Sequence, residues 1–108
     1  GAPIASQVAA GEHGPIAGLI YLGYPLHPPG KPQQLRDAHL PKIAEPMLFV
    51  QGTRDPFGTA AEIAALLPSL RNATLHEVPG GDHSFKAPGG KDTIEPIMTA
   101  VAEWIAAR

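Results

Sequence analysis

Cysteine is absent from the 108 residues, which removes disulfides, thiolate metal sites and a thiol nucleophile together. The eight lysines and arginines are scattered singly against ten acids, for a formal net charge of −2, so no basic stripe exists to neutralise a run of phosphates. A nucleic-acid partner is not expected. The longest apolar run falls far short of the roughly 20 residues a bilayer span needs, and no basic, then apolar, then small-residue leader opens the chain. A soluble, cytoplasmic protein with no membrane partner is the default expectation. The five histidines, His13, His27, His39, His76 and His83, lack the i, i+4 spacing of a helical zinc motif, so neither a metal nor another cofactor is indicated. At this length one domain spanning 1–108 is expected, with a single core and no room for a second catalytic domain.

What is present alternates between strand-like and helix-like segments. Ala2 to Ala10 is Ala-rich, tolerates Pro3 in a first turn and ends at Gly11, which reads as a helix fragment. Ala17 to Tyr24 is a nearly continuous apolar run, the pattern of a strand buried on both faces, and Pro25 stops it. From Leu26 to Pro41 the proline spacing forbids a helix and predicts a long ordered loop or lid. Pro46 to Gln51 is a second buried strand. Thr59 to Leu67 follows as a helix with Thr59 at the N-cap and Pro68 closing it. Ala73 to Val78 is a third strand. Ile94 to Ala107 is a final helix, capped by Asp92 or Thr93, whose Ile94, Ile97, Val101, Trp104 and Ile105 fall on one face. This alternation predicts an α/β fold with a three-stranded parallel sheet and flanking helices.

Two short stretches carry the chemistry: Gln51-Gly-Thr-Arg-Asp-Pro56 after the second strand, and Gly80-Gly-Asp-His-Ser-Phe85 after the third. Functional residues of parallel sheets collect on loops at the carboxyl ends of the strands. Right-handed crossovers bring consecutive strands side by side with those ends on one edge, so Asp55 and His83 are expected within hydrogen-bond reach of each other. A carboxylate bonded to one imidazole nitrogen fixes the tautomer and frees the other nitrogen to act as a base, which makes the two residues the acid and base of a Ser-His-Asp arrangement. The third member is missing, for no Gly-x-Ser-x-Gly occurs anywhere in the sequence.

The order strand, Gly-Thr-Arg-Asp-Pro-Phe-Gly, helix, strand, Gly-Asp-His-Ser-Phe, helix resembles the C-terminal part of an α/β-hydrolase over nearly the whole chain. The loop Gly-Tyr-Pro-Leu-His-Pro-Pro-Gly-Lys-Pro at Gly23 to Pro32 resembles that of the small dienelactone-hydrolase-like group. The resemblance implies that Asp55 and His83 are triad members, that the substrate is a small ester-like molecule, and that Gly1 to Ser6 matches the helix after the nucleophile elbow. It would then place the serine two residues before Gly1, with five preceding strands and both oxyanion-hole donors also absent, so a truncated form is expected.

Each residue also has a plainer reading. Asp55 before Pro56 suits a turn or cap, and Asp82 suits an aspartate bonding its own loop. Arg54 reads as a surface ion pair or, alternatively, a substrate clamp. His27 and Lys31 read as solvated side chains of a stiff connector or, alternatively, as the lining of a pocket mouth. His13, His39 and His76 read as surface or strand-face residues. Ser84, Ser6 and Ser69 are poor substitutes for the nucleophile, which needs both a base and donors at the oxyanion. Two functions remain: a serine-hydrolase-type enzyme, inactive in this form alone, and a catalytically silent module that acts through self-assembly or partner binding. The second draws on the Ala17 to Tyr24 strand, which carries no charge and so predicts a homodimer by antiparallel pairing across that sheet edge.

Overall fold

The computed structural model describes residues 5–9, 16–31 and 40–107, with side chains for 18–31 and 40–107. Four strands, β1 (Ala5–Ala9), β2 (Ile16–Leu22), β3 (Met47–Gly52) and β4 (Ala73–Val78), form one sheet in the order β1-β2-β3-β4. β2, β3 and β4 run parallel, in register from Leu19 opposite Met47 and from Met47 opposite Ala73. Helix α1 (Ala60–Leu66) follows β3 and helix α2 (Ile94–Ala106) follows β4. The architecture is therefore α/β, with a three-stranded parallel sheet flanked by helices.

Period-2 alternation along the strands divides the core into two layers. Tyr21, Met47 and Phe49 pack with Tyr24, Leu26, Leu40 and Ile63 on the α1 side, while Ile20, Leu48, Val50 and Val78 pack with Ile97 and Trp104 on the α2 side. Every residue of β3 is buried, as the apolar run Met47 to Val50 leads one to expect of a central strand, and the polar Gln51 is enclosed with it. Tyr21 and Phe49 are register partners and stack at 5.0 Å between ring centroids, with Tyr24 edge-on to both. By the same alternation Gln51 shares the α1 side with Phe49, and there it meets the loop that leaves β2.

The segment expected as a first helix is instead β1, antiparallel to β2 with Ala5 opposite Tyr21. A helix this short pays its nucleation cost with few bonds to show for it, whereas pairing along β2 satisfies two rows of backbone groups at once. Of the edge of Ala17 to Tyr24, to which a second copy was assigned, the stretch as far as Tyr21 is thus paired with this chain's own β1 over Ala5–Ala9. The rest of the expected first helix, 2–4 and 10, lies outside the described residues. So does half of the proline-rich loop, 32–39; of its described residues Leu26 to Lys31 are non-helical, while Leu40 and Pro41 begin a short 3-10 turn over Leu40–Lys42.

Helix α2 buries a narrower stripe than its sequence predicts. Ile97 and Trp104 are buried, but Ile94 and Ile105 are 57% and 42% exposed. At about 100° per residue, Ile94 and Ile105 sit roughly 60 to 80° around the axis from Ile97, beyond the arc that one helix lays on a sheet. Asp92 rather than Thr93 accepts from the first-turn N–H groups of Ile94 and Glu95. The Thr93 hydroxyl instead donates to the Phe85 carbonyl, tying the helix start to the preceding loop.

Gly18 on β2 lets the Trp104 ring approach the strand closely, since a Cβ there would stand 2.5 Å from the indole ring and 2.9 Å from the Pro46 carbonyl oxygen. Gly18→Ala is expected to lower unfolding stability by about 1–3 kcal/mol through overpacking. Urea denaturation of the two proteins checks this; an unchanged midpoint would show that Trp104 can move aside.

Candidate functional site

The site is built where the chain leaves β3 and β4 at the same end of adjacent strands. Backbone bonds join the two exits: Thr53 N–H donates to the Val78 carbonyl (3.1 Å) and Arg54 N–H to the Gly81 carbonyl (3.0 Å), while Gly80 N–H donates to Thr53 Oγ1 (2.7 Å). Gly52 permits this approach, because a Cβ on it would lie 2.1 Å from the Gly81 oxygen and 3.0 Å from that of Asp82. Backbone cannot yield as a side-chain tip can. Any residue other than glycine at 52 would force the two loops apart.

From this junction each loop projects one candidate side chain, and they meet: His83 Nδ1 and Asp55 Oδ2 are 2.8 Å apart. A carboxylate oxygen only accepts, so Nδ1 carries the proton and donates. Asp55 is fully buried, and its other oxygen accepts from Phe57 N–H at 2.8 Å. Burying this carboxyl would cost several kcal/mol without partners, and here both oxygens have one. His83 keeps a 38% exposed side chain, and no hydrogen bond to its Nε2 is present among the described residues. Its ring is held between Phe57, with centroids 4.4 Å apart, and the Gly23 backbone, where a Cβ would stand 3.3 Å from Cε1. The result is an imidazole fixed in tautomer and plane, with one nitrogen open to solvent.

The loop carrying His83 is a self-bonded turn. Asp82 Oδ1 accepts from the N–H groups of Ser84 (2.8 Å) and Lys86 (3.0 Å), and Asp82 N–H donates to the Lys86 carbonyl. These bonds, that of Lys86 foremost, hold the Asp82 carboxyl below its ordinary range against the opposing push of burial. Phe85 in the same turn has φ 63°, a strained value for a residue with a side chain. The turn around Asp82 and the Thr93 hydroxyl on the Phe85 carbonyl support it. Asp82 therefore does what aspartates do in turns, and it holds His83 in place by doing so.

The remaining sequence candidates fall away from the pair. No hydrogen bond joins Ser84 to His83 among the described residues, and Ser84 is exposed. Ser69 Oγ donates to the Leu66 carbonyl at the end of α1. Ser6 lies on β1, opposite Ile20, and its side chain is outside the described set. Arg54 is exposed with no carboxylate partner among the described residues, so the expected ion pair is not seen there. Lys31 is exposed and His76 lies half-buried on β4. His13 and His39 are outside the described residues.

His27 departs from the solvated connector residue it was read as. It is 5% exposed, its Nδ1 lies 2.8 Å from the Pro28 carbonyl oxygen and its Nε2 2.8 Å from Glu62 Oε2. With Glu62 ionised both partners only accept, so both ring nitrogens donate and the ring is an imidazolium. Its pKa is raised, first by the bond to the Pro28 carbonyl, then, against burial, by the bond to Glu62 and the charges of Glu62 and Asp55. Burial pushes the Glu62 carboxyl up, but the Thr59 N–H and His27 together bring it below its ordinary value. Gln51 was also missed. Fully buried, it accepts from Tyr24 N–H (2.9 Å) and donates to the Tyr24 and Gly58 carbonyls (3.0 and 2.6 Å), joining the loop after β2 to the loop bearing Asp55. A glutamine ending an apolar strand was the one available signal. The partner of His27, 35 residues away, left none.

A family model described as an alpha/beta hydrolase domain matches residues 1–107 of the chain. No solved structure matches it.

The His27–Glu62 pair sets a pH window for stability. A histidine whose pKa is raised on folding from 6.5 contributes fully below that value and loses the contribution as pH rises through the folded pKa. A carboxyl lowered from 4.5 contributes above that value and loses it as pH falls through its folded pKa. The pair thus stabilises most between about 4.5 and 6.5. Urea unfolding at pH of about 5.5 and 8.5 is expected to show His27→Ala destabilised more at the lower pH. Equal losses at both would remove the ion pair from the account.

Proposed function

We propose that the chain, which belongs to the alpha/beta hydrolase family, carries the general base and its orienting acid for ester or acyl hydrolysis by a Ser-His-Asp mechanism. The single observation behind this reading is the 2.8 Å contact between His83 Nδ1 and the buried Asp55, with the His83 ring still partly exposed. The Gly23 to Pro32 loop favours the dienelactone-hydrolase-like group within the family, and a small ester as substrate.

In this mechanism Nε2 of His83 takes the proton of a serine hydroxyl as the oxygen attacks the ester carbonyl. The imidazolium so formed donates through Nδ1–H to Asp55, whose charge stabilises it and whose second oxygen is anchored by Phe57 N–H. Collapse of the tetrahedral intermediate breaks the bond to the leaving group, and Nε2 returns the proton to it. A water then repeats the cycle on the acyl-enzyme with the same base. The 108 residues contain no Gly-x-Ser-x-Gly, so the reading assigns the serine to polypeptide outside them. A non-catalytic assembly module drew its support from an open edge at β2, and β1 occupies that edge.

The test begins with the coding DNA upstream of Gly1. A continuous frame with Gly-x-Ser-x-Gly is expected, and the protein expressed with it should hydrolyse p-nitrophenyl acetate. Asp55→Asn should lower that turnover by about 10⁴-fold, the usual cost of losing the orienting acid, and His83→Ala by about 10⁶-fold, the usual cost of losing the base. Hydrolysis that survives both substitutions would show that another group is the base.

A further inference from the structure

A closed ring of bonds surrounds the turn that carries Asp55, and most of it is remote from the reacting atoms. His27 N–H donates to the Phe57 carbonyl at 2.9 Å. The His27 side chain is held by Glu62 at 2.8 Å. Glu62 is in turn the capping-box partner of Thr59, with Thr59 N–H donating to Oε1 at 3.1 Å and Glu62 N–H donating to Thr59 Oγ1 at 3.2 Å. Thr59 is two residues from Phe57, so the circuit runs Phe57, His27, Glu62, Thr59 and back along the chain. Gln51 braces it at the Gly58 carbonyl.

Phe57 is the residue on which this circuit converges, and it is also the one that touches both members of the acid–base pair. Its N–H fixes Asp55 Oδ1, and its ring lies 4.4 Å from the His83 ring. We propose that His27 and Glu62 are positioning residues for the Asp55–His83 pair, clamping Phe57 so that its N–H orients the carboxylate and its ring sets the plane of the imidazole. The assignment rests on the hydrolytic reading for its purpose, since a base must keep Nδ1 on the acid while Nε2 faces the nucleophile. The coupling itself is a property of this chain and is measurable without turnover. A stiff connector had no need of a buried, doubly bonded imidazole; a loop that must hold the backbone of a neighbouring turn does.

The test reads His83 by NMR in the 108-residue chain, through its Nδ1–H resonance and its imidazole titration. His27→Ala and Glu62→Ala are both expected to weaken the Asp55 bond, broadening the Nδ1–H signal and lowering the His83 midpoint by about half a pH unit, a ~3-fold change in the protonation equilibrium. A through-space charge effect would act differently, since removing the cation raises the midpoint and removing the anion lowers it. Glu62→Gln is the conservative rescue. Its carboxamide oxygen accepts from Thr59 N–H and its NH₂ donates to Nε2 of a neutral His27, so the clamp persists and His83 should stay near its original midpoint. Gly18→Ala, which strains the opposite face of the sheet, serves as the control for general loosening and should leave His83 unmoved. The proposal is overturned if the two alanine variants leave His83 unchanged, if they shift it in opposite directions, if Glu62→Gln shifts it as far as Glu62→Ala, or if Gly18→Ala does the same. Coupling seen by NMR, together with no ester hydrolysis by the protein expressed with its upstream frame, would refute the hydrolytic reading and leave the clamp standing.

Discussion

The close backbone approach of Gly52 to Gly81 is the constraint from which the rest of the site follows. Parallel strands bring the ends of β3 and β4 to one edge, but neighbouring exits alone do not place two side chains within 2.8 Å of each other. The loops must touch, and they touch through backbone because residue 52 has no Cβ to hold the Gly81 carbonyl away. The bonds from Thr53 and Arg54 to the Val78 and Gly81 carbonyls then fix the offset between the loops. Asp55 and His83 inherit their geometry from that junction.

A second demand comes from burying polar groups next to an aromatic core. Asp55 and Gln51 are fully enclosed and His27 nearly so, and an unpaired buried polar group costs about 1–3 kcal/mol, more when it is charged. Each is therefore bonded: Asp55 to Phe57 and His83, Gln51 to Tyr24 and Gly58, His27 to Pro28 and Glu62. These bonds run between loops rather than within elements. They connect the exits of β2 and β3 and the start of α1, so the loops around His83 hold a defined shape despite their lack of regular structure. The two apolar layers beneath, on α1 and on α2, supply the rigid floor.

Much of this was legible in the chain itself. Unbroken apolar runs marked β2 and β3, the span of β4 is the one its sequence predicts, and Pro68 and Thr59 bounded α1. The approach of Asp55 to His83 followed from topology, because loop residues after consecutive parallel strands share an edge. The first strand was misread because its alanines locally favour a helix, and pairing with an open neighbour in space overrode that preference. The exposure of Ile94 and Ile105 was hidden for a related reason. Periodicity tells which residues share a face, and only the contact with the sheet tells how wide a face is covered.

The sequence by itself determined the elements that local patterning controls and the chemical types on the two loops, since strand burial, caps and turn residues are written within a few positions of one another. The tertiary structure alone decided that β1 closes the edge of β2, that Gly52 must be glycine, and that His27 finds Glu62 and steadies Phe57. These depend on distances between residues up to 35 positions apart, and a hydrogen bond acts over about 3 Å of space whatever the separation along the chain.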